Sequence, residues 1–462
     1  MSERVKLISP VDGSVYAERP YTTDTALDAA ISRAMAAQAI WALVPVAERA
    51  KQTIAFLDAV LAMNDEIVPE LAWQMGRPVR YGGEKGGLEE RARTMASIAE
   101  TALAPFVPEE RAGFRRYIKH EPLGLVLVVA PWNYPYLTAG NTIFPALMAG
   151  NAVLLKHAAQ TLLVGERFQA AYDKAGLPKG LFQNVVLTHE QTERLIGSGK
   201  VNHVNFTGSV AGGRAVERAA AGTFASLGLE LGGKDPAYVR DDVKLDHAVE
   251  NLVDGSFYNS GQCCCGIERI YVHERVYQPF VEAFIDLTKK YVVGNPLDKA
   301  TTLGPMARAS FADHVRGHID EAVRKGAKPN IGMKVEGDRQ GSPYLAPEVL
   351  TNVDHQMVVM REETFGPVVG IMKVRDDEEA ITLMNDSPYG LTASIWTTDT
   401  DRAAAIGDRV ATGTVFMNRC DYVDPGLVWT GVKETGRGVT LSKLGYEHLT
   451  RPKSYHLRFK TG

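Results

Sequence analysis

Short apolar runs alternate with helical patterns between residues 125 and 208. The strand-like runs are residues 125–130, 151–156, 182–187 and 203–208. The helical patterns, in which apolar residues recur every three or four positions, are residues 137–149, 161–175 and 190–198. Short runs of this kind are typical of parallel strands that are covered on both faces. Their alternation with helices predicts an open, doubly wound parallel sheet.

The regions on either side predict more helix and a second α/β unit. From Thr22 to about Met75 the pattern is helical, with Thr23 or Asp24 as the N-cap. Paired glycines then precede a further helix at 88–104. A second α/β unit is predicted from about Asp235 to Tyr446. The predicted fold class is therefore α/β, with a doubly wound parallel-sheet domain and a second α/β domain.

Two segments alternate between polar and apolar residues with charge on one face. They are residues 115–122 and 452–459. This pattern is typical of edge strands, because charged side chains protect an open edge from unwanted pairing. We expect a small β element made from these two segments, outside both sheets.

Ligands of a doubly wound sheet bind beyond the carboxyl ends of its strands. The residues that directly follow the predicted strands are therefore the informative ones. They are Pro131-Trp132-Asn133, Lys156-His157 and Gly208-Ser209.

Composition excludes several classes of protein. The net charge of −4 leaves no basic surplus for nucleic acid or an anionic membrane surface. No apolar run approaches the roughly 20 residues of a membrane span, and the charged start lacks the apolar core of a signal peptide. Three of the four cysteines are adjacent, which cannot form a disulfide framework. We expect a cytoplasmic protein of two or three domains.

The adjacent cysteines Cys263, Cys264 and Cys265 follow small and polar residues at a helix-to-strand junction. A turn of this kind presents a side chain, and a cysteine there is a nucleophile if its thiol pKa is lowered. The alternative is a buried, inert cysteine. A structural zinc site fits poorly, because zinc ligands are spaced and four are needed. We expect no metal.

Two further residues are candidates for chemistry. Asn133, flanked by prolines at 131 and 135, is held in an extended turn, where its amide can donate to a developing oxyanion. Taken alone, the pattern favours a simple turn residue. Glu230 lies in an apolar segment that ends in two glycines, and it is either a satisfied core carboxylate or a tuned base.

Six motifs together resemble the aldehyde dehydrogenase superfamily along nearly the whole chain. In order, they are Pro131-Trp132-Asn133-Tyr134-Pro135, Phe206-Thr207-Gly208-Ser209, Leu229-Glu230-Leu231-Gly232-Gly233, Asn259-Ser260-Gly261-Gln262-Cys263-Cys264, Glu362-Glu363-Thr364-Phe365-Gly366-Pro367 and Gly431-Val432-Lys433-Glu434-Thr435-Gly436-Arg437-Gly438. The resemblance implies an NAD(P)-binding domain at 1–109 and 125–232, a catalytic domain at 233–444, and oligomerisation strands at 110–124 and 445–462. It also implies a homodimer or homotetramer.

The resemblance implies NAD(P)-dependent oxidation of an aldehyde to the carboxylic acid. Cys264 is the implied nucleophile, Asn133 and the Cys264 backbone N–H hold the oxyanion, and Glu230 activates the water that hydrolyses the thioester. The implied cofactor-binding residues are Lys156, Gly208, Ser209, Trp132, Pro131, Leu231, Glu363 and Phe365.

Two departures from the family pattern affect which cofactor is preferred and which residue acts as the base. Ala159 stands where many members have a glutamate that binds the ribose and repels a 2′-phosphate. Lys156 then suits either cofactor, and we expect NAD to be slightly preferred over NADP. Thr440 replaces a glutamate that some members use as a secondary proton acceptor, so we expect Glu230 to act as the only base.

The substrate is predicted from the residues around the motif asparagine. Succinate semialdehyde enzymes of the family often place an arginine eight residues after it, where this chain has the neutral Asn141. The predicted pocket residues are Tyr134, Thr138, Asn141, Cys263, Cys265, Cys420 and Tyr422. They favour a neutral aliphatic or aromatic aldehyde. The alternatives are a semialdehyde dehydrogenase and a CoA-acylating enzyme, which tends to lack the glutamate; a non-catalytic scaffold is disfavoured by the intact catalytic set.

Overall fold

The computed structural model describes residues 3–460. The predicted oligomerisation segment 445–462 ends with two residues that lie outside this range, as do the first two residues of the predicted NAD(P)-binding domain. The chain begins with a hairpin and a group of helices: β1 (Arg4–Ile8), β2 (Val15–Pro20), α1 (Asp24–Trp41), α2 (Val46–Leu61), α3 (Asn64–Met75) and α4 (Lys85–Ala102). Thr23 caps α1 by accepting from the Ala26 N–H.

The middle of the chain builds the first sheet. Its elements are β3 (Phe114–Pro122), β4 (Leu125–Val129), α5 (Pro135–Ala149), β5 (Ala152–Lys156), α6 (Leu162–Ala175), β6 (Phe182–Asn184), α7 (His189–Gly197), β7 (His203–Thr207), α8 (Val210–Ala220) and β8 (Ser226–Glu230). Strands β8, β7, β4, β5 and β6 lie side by side in that order and pair in parallel. The predicted doubly wound sheet is confirmed, and β4 lies at its centre because the chain winds first to one side and then to the other.

The second sheet follows. Its elements are β9 (Asp235–Val239), α9 (Leu245–Phe257), β10 (Ile267–His273), α10 (Tyr277–Thr288), α11 (Ala309–Arg324), β11 (Lys328–Pro329), β12 (Glu348–Thr351), α12 (Val358–Arg361), β13 (Val368–Val374), α13 (Asp377–Asn385), β14 (Thr392–Trp396), α14 (Thr400–Gly407) and β15 (Thr414–Met417). The strand order is β11-β12-β13-β10-β9-β14-β15, and every pair is parallel except β11 with β12.

The last elements leave the second sheet. They are β16 (Gly436–Arg437), α15 (Ser442–His448) and β17 (Thr450–Arg458). Strand β16 pairs antiparallel with β8 and so joins the first sheet, although it lies inside the predicted catalytic span 233–444. Strand β17 pairs with β3 in an antiparallel ribbon that runs from Thr450 opposite Pro122 to Arg458 opposite Phe114. The pairing of the two edge-like segments with each other supports the expected small β element.

Burial follows the sequence pattern closely. All five residues of β4 and all five of β9 are buried, as expected for strands covered on both faces. One predicted boundary is wrong: Gly86 and Gly87 do not precede a helix but lie in the first turn of α4. A Cβ at Gly87 would lie 3.0 Å from the Leu137 side chain, so its small size allows α4 to approach α5. Among the described residues, no helix is long and apolar enough to cross a bilayer.

Candidate active site

Cys264 follows a tight turn between α9 and β10. Asn259 and Ser260 adopt left-handed conformations, with φ of 53° and 58°, and Gly261 follows with φ of 69°. A Cβ at Gly261 would lie 2.3 Å from the Gly366 carbonyl oxygen, so the close approach of these two backbones requires glycine. The buried Asn259 side chain holds the turn by donating to the carbonyls of Asn133 and Gln262, both at 3.2 Å.

The three thiols form one cluster. Their sulfur atoms all lie within 4.8 Å of one another, and Cys264 is the one residue of the three that is not fully buried. Hydrogen bonds from Cys263 and Cys265 lower the pKa of Cys264 to about 6, although burial acts in the opposite direction. The pKa of Cys263 rises to about 12, mainly because its proton is shared with Cys264. Cys264 is therefore the thiol of the cluster that ionises first.

Asp421 contacts the other two thiols. Its Oδ1 lies 3.2 Å from the Cys263 sulfur and 3.1 Å from the Cys265 sulfur. Burial raises the pKa of Asp421 well above its ordinary value. Its left-handed backbone, with φ of 51°, turns the side chain toward the cysteines. Sequence analysis did not find this residue, because an aspartate in an irregular loop gives no signal of its partners.

Asn133 lies beside the cysteine turn at the carboxyl end of β4. Its side-chain amide donates to the carbonyl of Gln262 at 3.3 Å, two residues before Cys264. Its own carbonyl accepts from Arg77 at 2.6 Å. A wholly buried ion pair between Arg77 and Glu84, at 2.5 Å, anchors this arrangement. No sequence signal connects Arg77 with Asn133, which follows it by 56 positions.

Glu230 ends β8 and faces the same space. Its Oε2 accepts from the Thr207 hydroxyl at 3.2 Å and its Oε1 from the Thr440 hydroxyl at 2.8 Å. Burial raises the pKa of Glu230, against these two hydrogen bonds, which favour the ionised form. A carboxylate with a raised pKa is a better proton acceptor than an exposed one.

Two cavities meet at Cys264 and Glu230. One has a volume of about 880 Å³ and the other about 320 Å³. Thr207 and Leu231 also line both of them. A molecule in either cavity therefore reaches the same sulfur and the same carboxylate.

The larger cavity lies beyond the carboxyl ends of β4, β5, β7 and β8. All eight residues predicted to bind the cofactor line it: Pro131, Trp132, Lys156, Gly208, Ser209, Leu231, Glu363 and Phe365. Burial lowers the pKa of Lys156. Ser209 caps α8, whose N-terminus faces this space and suits a phosphate. A Cβ at Gly212 would lie 2.6 Å from the Phe206 ring, so the close packing of α8 against this ring requires glycine. These residues fit a dinucleotide.

The loop that carries Glu363 and Phe365 is fixed from behind. Glu268 accepts from the backbone N–H of Thr364 at 2.8 Å and of Phe365 at 2.9 Å, and pairs with the buried Lys234. These bonds hold Phe365 in a left-handed conformation, with φ of 53°. The Glu363 carboxylate accepts from the Gly233 N–H at 2.9 Å, and burial raises its pKa to about 8.

The smaller cavity contains six of the seven predicted pocket residues: Tyr134, Thr138, Asn141, Cys263, Cys265 and Tyr422. The seventh, Cys420, does not line it. Its sulfur packs against Gly255 and donates to the Asn251 carbonyl at 3.5 Å, outside the cavity. Asp421, the next residue, has a left-handed backbone and turns its own side chain into the cavity, whereas the Cys420 side chain lies outside it.

Arg91 is a pocket residue that sequence analysis missed. It extends from α4 into the smaller cavity and donates to Asn141 Oδ1 at 3.2 Å. No carboxylate of residues 3–460 forms an ion pair with it. The neutral Asn141 therefore accepts a hydrogen bond from a guanidinium group. This contact was not predicted from its position in the sequence. Glu90, Asp254 and Asp421 also line this cavity.

The fold and the paired cavities are those of an oxidoreductase that uses a nicotinamide cofactor. The aldehyde dehydrogenase family model matches residues 1–455, and the chain belongs to that family. It is an NAD(P)-dependent enzyme that acts on aldehydes.

Individual proteins agree with this assignment. The chain is 32% identical over 455 residues to the NADP(+) succinate-semialdehyde dehydrogenase of Mycobacterium avium (strain 104), covering 97% of this chain and 96% of that protein. The structure of Gox0499 is 32% identical, with a TM-score of 0.94, and the match covers 99% of this chain and 100% of that one. The structure of PnpE in complex with nicotinamide adenine dinucleotide is 28% identical, with a TM-score of 0.94 and coverage of 100% and 95%.

Proposed function

We propose that the chain oxidises its aldehyde through a thiohemiacetal and then a thioester on Cys264, and that water activated by Glu230 hydrolyses the thioester. The observation that carries this proposal is that Cys264 and Glu230 both line the two cavities. A sulfur at that junction reaches the aldehyde from one side and the cofactor from the other.

The first half of the reaction uses the lowered pKa of Cys264. The thiolate attacks the aldehyde carbon, and the Asn133 amide and the Cys264 backbone N–H stabilise the resulting oxyanion. One such donor contributes roughly 3–4 kcal/mol to lowering the barrier. NAD or NADP, when bound, supplies the hydride acceptor. The product of this half-reaction is a thioester on Cys264.

The second half uses Glu230. Its raised pKa suits it to take a proton from a water molecule, which then attacks the thioester carbon. Thr207 and Thr440 orient the carboxylate through their hydroxyl groups. A CoA-acylating enzyme passes its acyl group to CoA, and a water-activating base would waste that group, so Glu230 favours hydrolysis.

Replacing Glu230 with glutamine separates the two halves. Glu230→Gln keeps the size and both hydrogen-bond partners but cannot accept the proton. We expect a burst of NADH equal to the concentration of active sites, followed by turnover reduced at least 100-fold. Stopped-flow absorbance measures both quantities. Unchanged steady-state turnover in this variant would remove Glu230 from the mechanism.

The cofactor preference is proposed to be a slight one for NAD. Ala158 and Ala159 line the larger cavity next to Lys156, so no carboxylate on that loop binds a ribose or repels a 2′-phosphate. We expect both cofactors to work, with kcat/KM somewhat higher for NAD. A preference for NADP above about 100-fold, or roughly 2.7 kcal/mol, would contradict this proposal.

The substrate is proposed to be a neutral aliphatic or aromatic aldehyde. Leu137, Leu391, Val423 and Trp429 give the smaller cavity apolar walls, and its carboxylates outnumber its one guanidinium. A carboxylate-bearing semialdehyde is a second candidate, which Arg91 favours.

A substrate panel decides between the two candidates. We expect the best neutral aldehyde to have a higher kcat/KM than succinate semialdehyde. We also expect the KM for that neutral aldehyde to be unchanged in Arg91→Met. The opposite ranking, with a KM for the semialdehyde that rises in Arg91→Met, would establish the second candidate.

We also propose the division of labour along the chain. Residues 1–109 and 125–232 bind the cofactor, residues 233–444 carry the nucleophile, and 110–124 with 445–462 join subunits in a dimer or tetramer. The four cysteines of the described residues are free thiols, which suits a reducing compartment. This supports the proposal that the protein is located in the cytoplasm.

A further inference from the structure

Three polar side chains lie in a row on one face of β7. They are His203, Asn205 and Thr207, and side chains two residues apart on a strand share a face. His203 is 2% exposed and Asn205 3% exposed. Central strands of a covered parallel sheet ordinarily carry apolar residues at such positions, as β4 does here. Burying these polar side chains costs free energy, and packing in the core of the sheet gives no reason for their presence.

The row extends from Glu230 to the surface. Thr207 lies opposite Glu230 in the register and His203 lies opposite Ser226, which is exposed. Hydrogen bonds join both pairs, at 3.2 Å from the Thr207 hydroxyl to the carboxylate and at 2.7 Å from His203 Nδ1 to the Ser226 hydroxyl. Four residues of strand separate the two ends, a distance of about 13 Å.

The middle of the row is kept open by Gly228, which lies opposite Asn205. A Cβ at Gly228 would lie 2.5 Å from Asn205 Oδ1, so any other residue would press on the amide. A small cavity of about 10 Å³ adjoins this point. Its lining includes Asn205 and His203 from the row, with Thr142 and Thr440 facing them.

The cavity suits one water molecule. Its volume is about that of one probe sphere, and a buried water needs two to four polar partners. Thr142 is 1% exposed, and its hydroxyl has no hydrogen-bond partner among the described residues. Leaving a buried hydroxyl unpaired costs about 1–3 kcal/mol, which a water at this point would offset. Thr440 lines the same cavity and donates to Glu230, so the site touches the catalytic carboxylate through one hydroxyl.

The proposed chemistry needs an exit for protons. Hydrolysis converts the thioester R–CO–S–Cys264 and one water into R–COO⁻, the Cys264 thiolate and two protons. Glu230 takes one of them and the other leaves with the product acid, which ionises in solvent. Glu230 must lose its proton before the next turnover. Thr440, which stands where the family resemblance places a second carboxylate in some members, links Glu230 to the small cavity.

We propose that the Thr440 hydroxyl, a water in the small cavity and His203 carry the proton from Glu230 to solvent at Ser226. This inference rests on the proposed role of Glu230. Protonated Glu230 donates to the Thr440 oxygen while the Thr440 hydroxyl donates to the water. The water donates to His203 Nε2, Nδ1–H passes its proton to the Ser226 hydroxyl, and that hydroxyl releases its own proton to solvent. No bond other than O–H and N–H bonds is made or broken.

The state of His203 agrees with this role. Burial lowers its pKa to about 4, and the neighbouring His448 acts in the same direction. The imidazole is therefore neutral between turnovers. In the tautomer that donates Nδ1–H to Ser226, Nε2 is free to accept a proton. A neutral imidazole with one nitrogen facing each way is suited to passing a proton without keeping it.

Two variants of the full-length enzyme test the route. Thr142→Val removes a water ligand with little change of shape, and His203→Gln keeps a polar side chain that cannot relay a proton. We expect kcat to fall about tenfold or more in each, with the NADH burst retained in amplitude and rate. The matched control is Thr53→Val, because Thr53 is also buried with an unpartnered hydroxyl but lies on α2 and lines none of the three cavities. It should leave kcat unchanged.

A third variant distinguishes proton transfer from a structural role. His203→Ala leaves space for added imidazole, which we expect to restore kcat several-fold in a concentration-dependent way. Unchanged kcat in Thr142→Val and His203→Gln would overturn the proposal, and so would a loss of burst amplitude in proportion to kcat. Failure of the proposed function itself has a different signature, namely Glu230→Gln enzyme without any NADH burst or acyl adduct.

Discussion

Cys264 differs from its two neighbours in pKa, although the three thiols have nearly the same surroundings. Its position between two hydrogen-bond donors stabilises the thiolate, whereas Cys263 and Cys265 keep their protons. The motif Gly-Gln-Cys-Cys predicted which of the three is the nucleophile. The contact of both neighbouring thiols with Asp421, more than 150 positions away, could not be predicted.

The pH dependence of alkylation tests this account of the thiol. Because the pKa of Cys264 is lowered to about 6, its thiolate is present above that pH and lost below it. The rate of modification by iodoacetamide should rise through about pH 6 and then level off. In the double variant Cys263→Ala/Cys265→Ala, the midpoint should move upward toward the ordinary value of about 8.5.

Cys420→Ala is the control for this experiment, because that thiol lies outside the cluster and its pKa is raised. Its midpoint should stay at about 6. A wild-type midpoint near 8.5, or one that is unaffected by loss of both neighbours, would show that hydrogen bonding does not activate Cys264.

A second residue-scale prediction concerns Arg77 and Glu84. Both side chains are 2% exposed, and removing one partner leaves a buried charge unpaired. We expect Arg77→Met to lower the free energy of unfolding by about 3–5 kcal/mol, with Arg77→Met/Glu84→Gln losing less than the sum of the single variants. Urea denaturation measures these differences. Strict additivity would mean that the two side chains do not interact.

Strands and helices were predicted better than the contacts between them. The four strand-like runs became β4 to β7. The apolar signature is clearest in β4, all five residues of which are buried. The start of α4 was misplaced, because Gly87 gives the same local signal whether it precedes a helix or lets two helices approach. Strand β16 was not predicted, because two residues carry no periodicity.

The β3–β17 ribbon gives an element-scale prediction. Leu457 is 46% exposed and Phe459 is 65% exposed at its open end. If the ribbon joins subunits, Leu457→Asp/Phe459→Asp should convert a dimer or tetramer into a smaller species in light scattering. Leu43→Asp changes an apolar residue that is 85% exposed elsewhere and should leave the mass unchanged. An unchanged mass in the ribbon variant would place the interface on another surface.

The molecule as a whole brings the site together from both sheets. Glu230 ends a strand of the first sheet, while Cys264 lies just before a strand of the second. Sequence motifs predicted each group separately, since each has its own local pattern. Arg91 and Asp421 were not predicted, because they reach the site only through the packing of distant segments. The substrate end of the pocket is therefore where sequence was least informative.

The covalent intermediate is the central claim. The most direct measurement is intact-protein and peptide mass spectrometry after a quenched single turnover of Glu230→Gln with an aldehyde and NAD. The account predicts one acyl group per chain, on the peptide that contains Cys264, and none in a matched Cys264→Ser/Glu230→Gln sample. An acyl group on a different side chain, or NADH formed without any adduct, would contradict it.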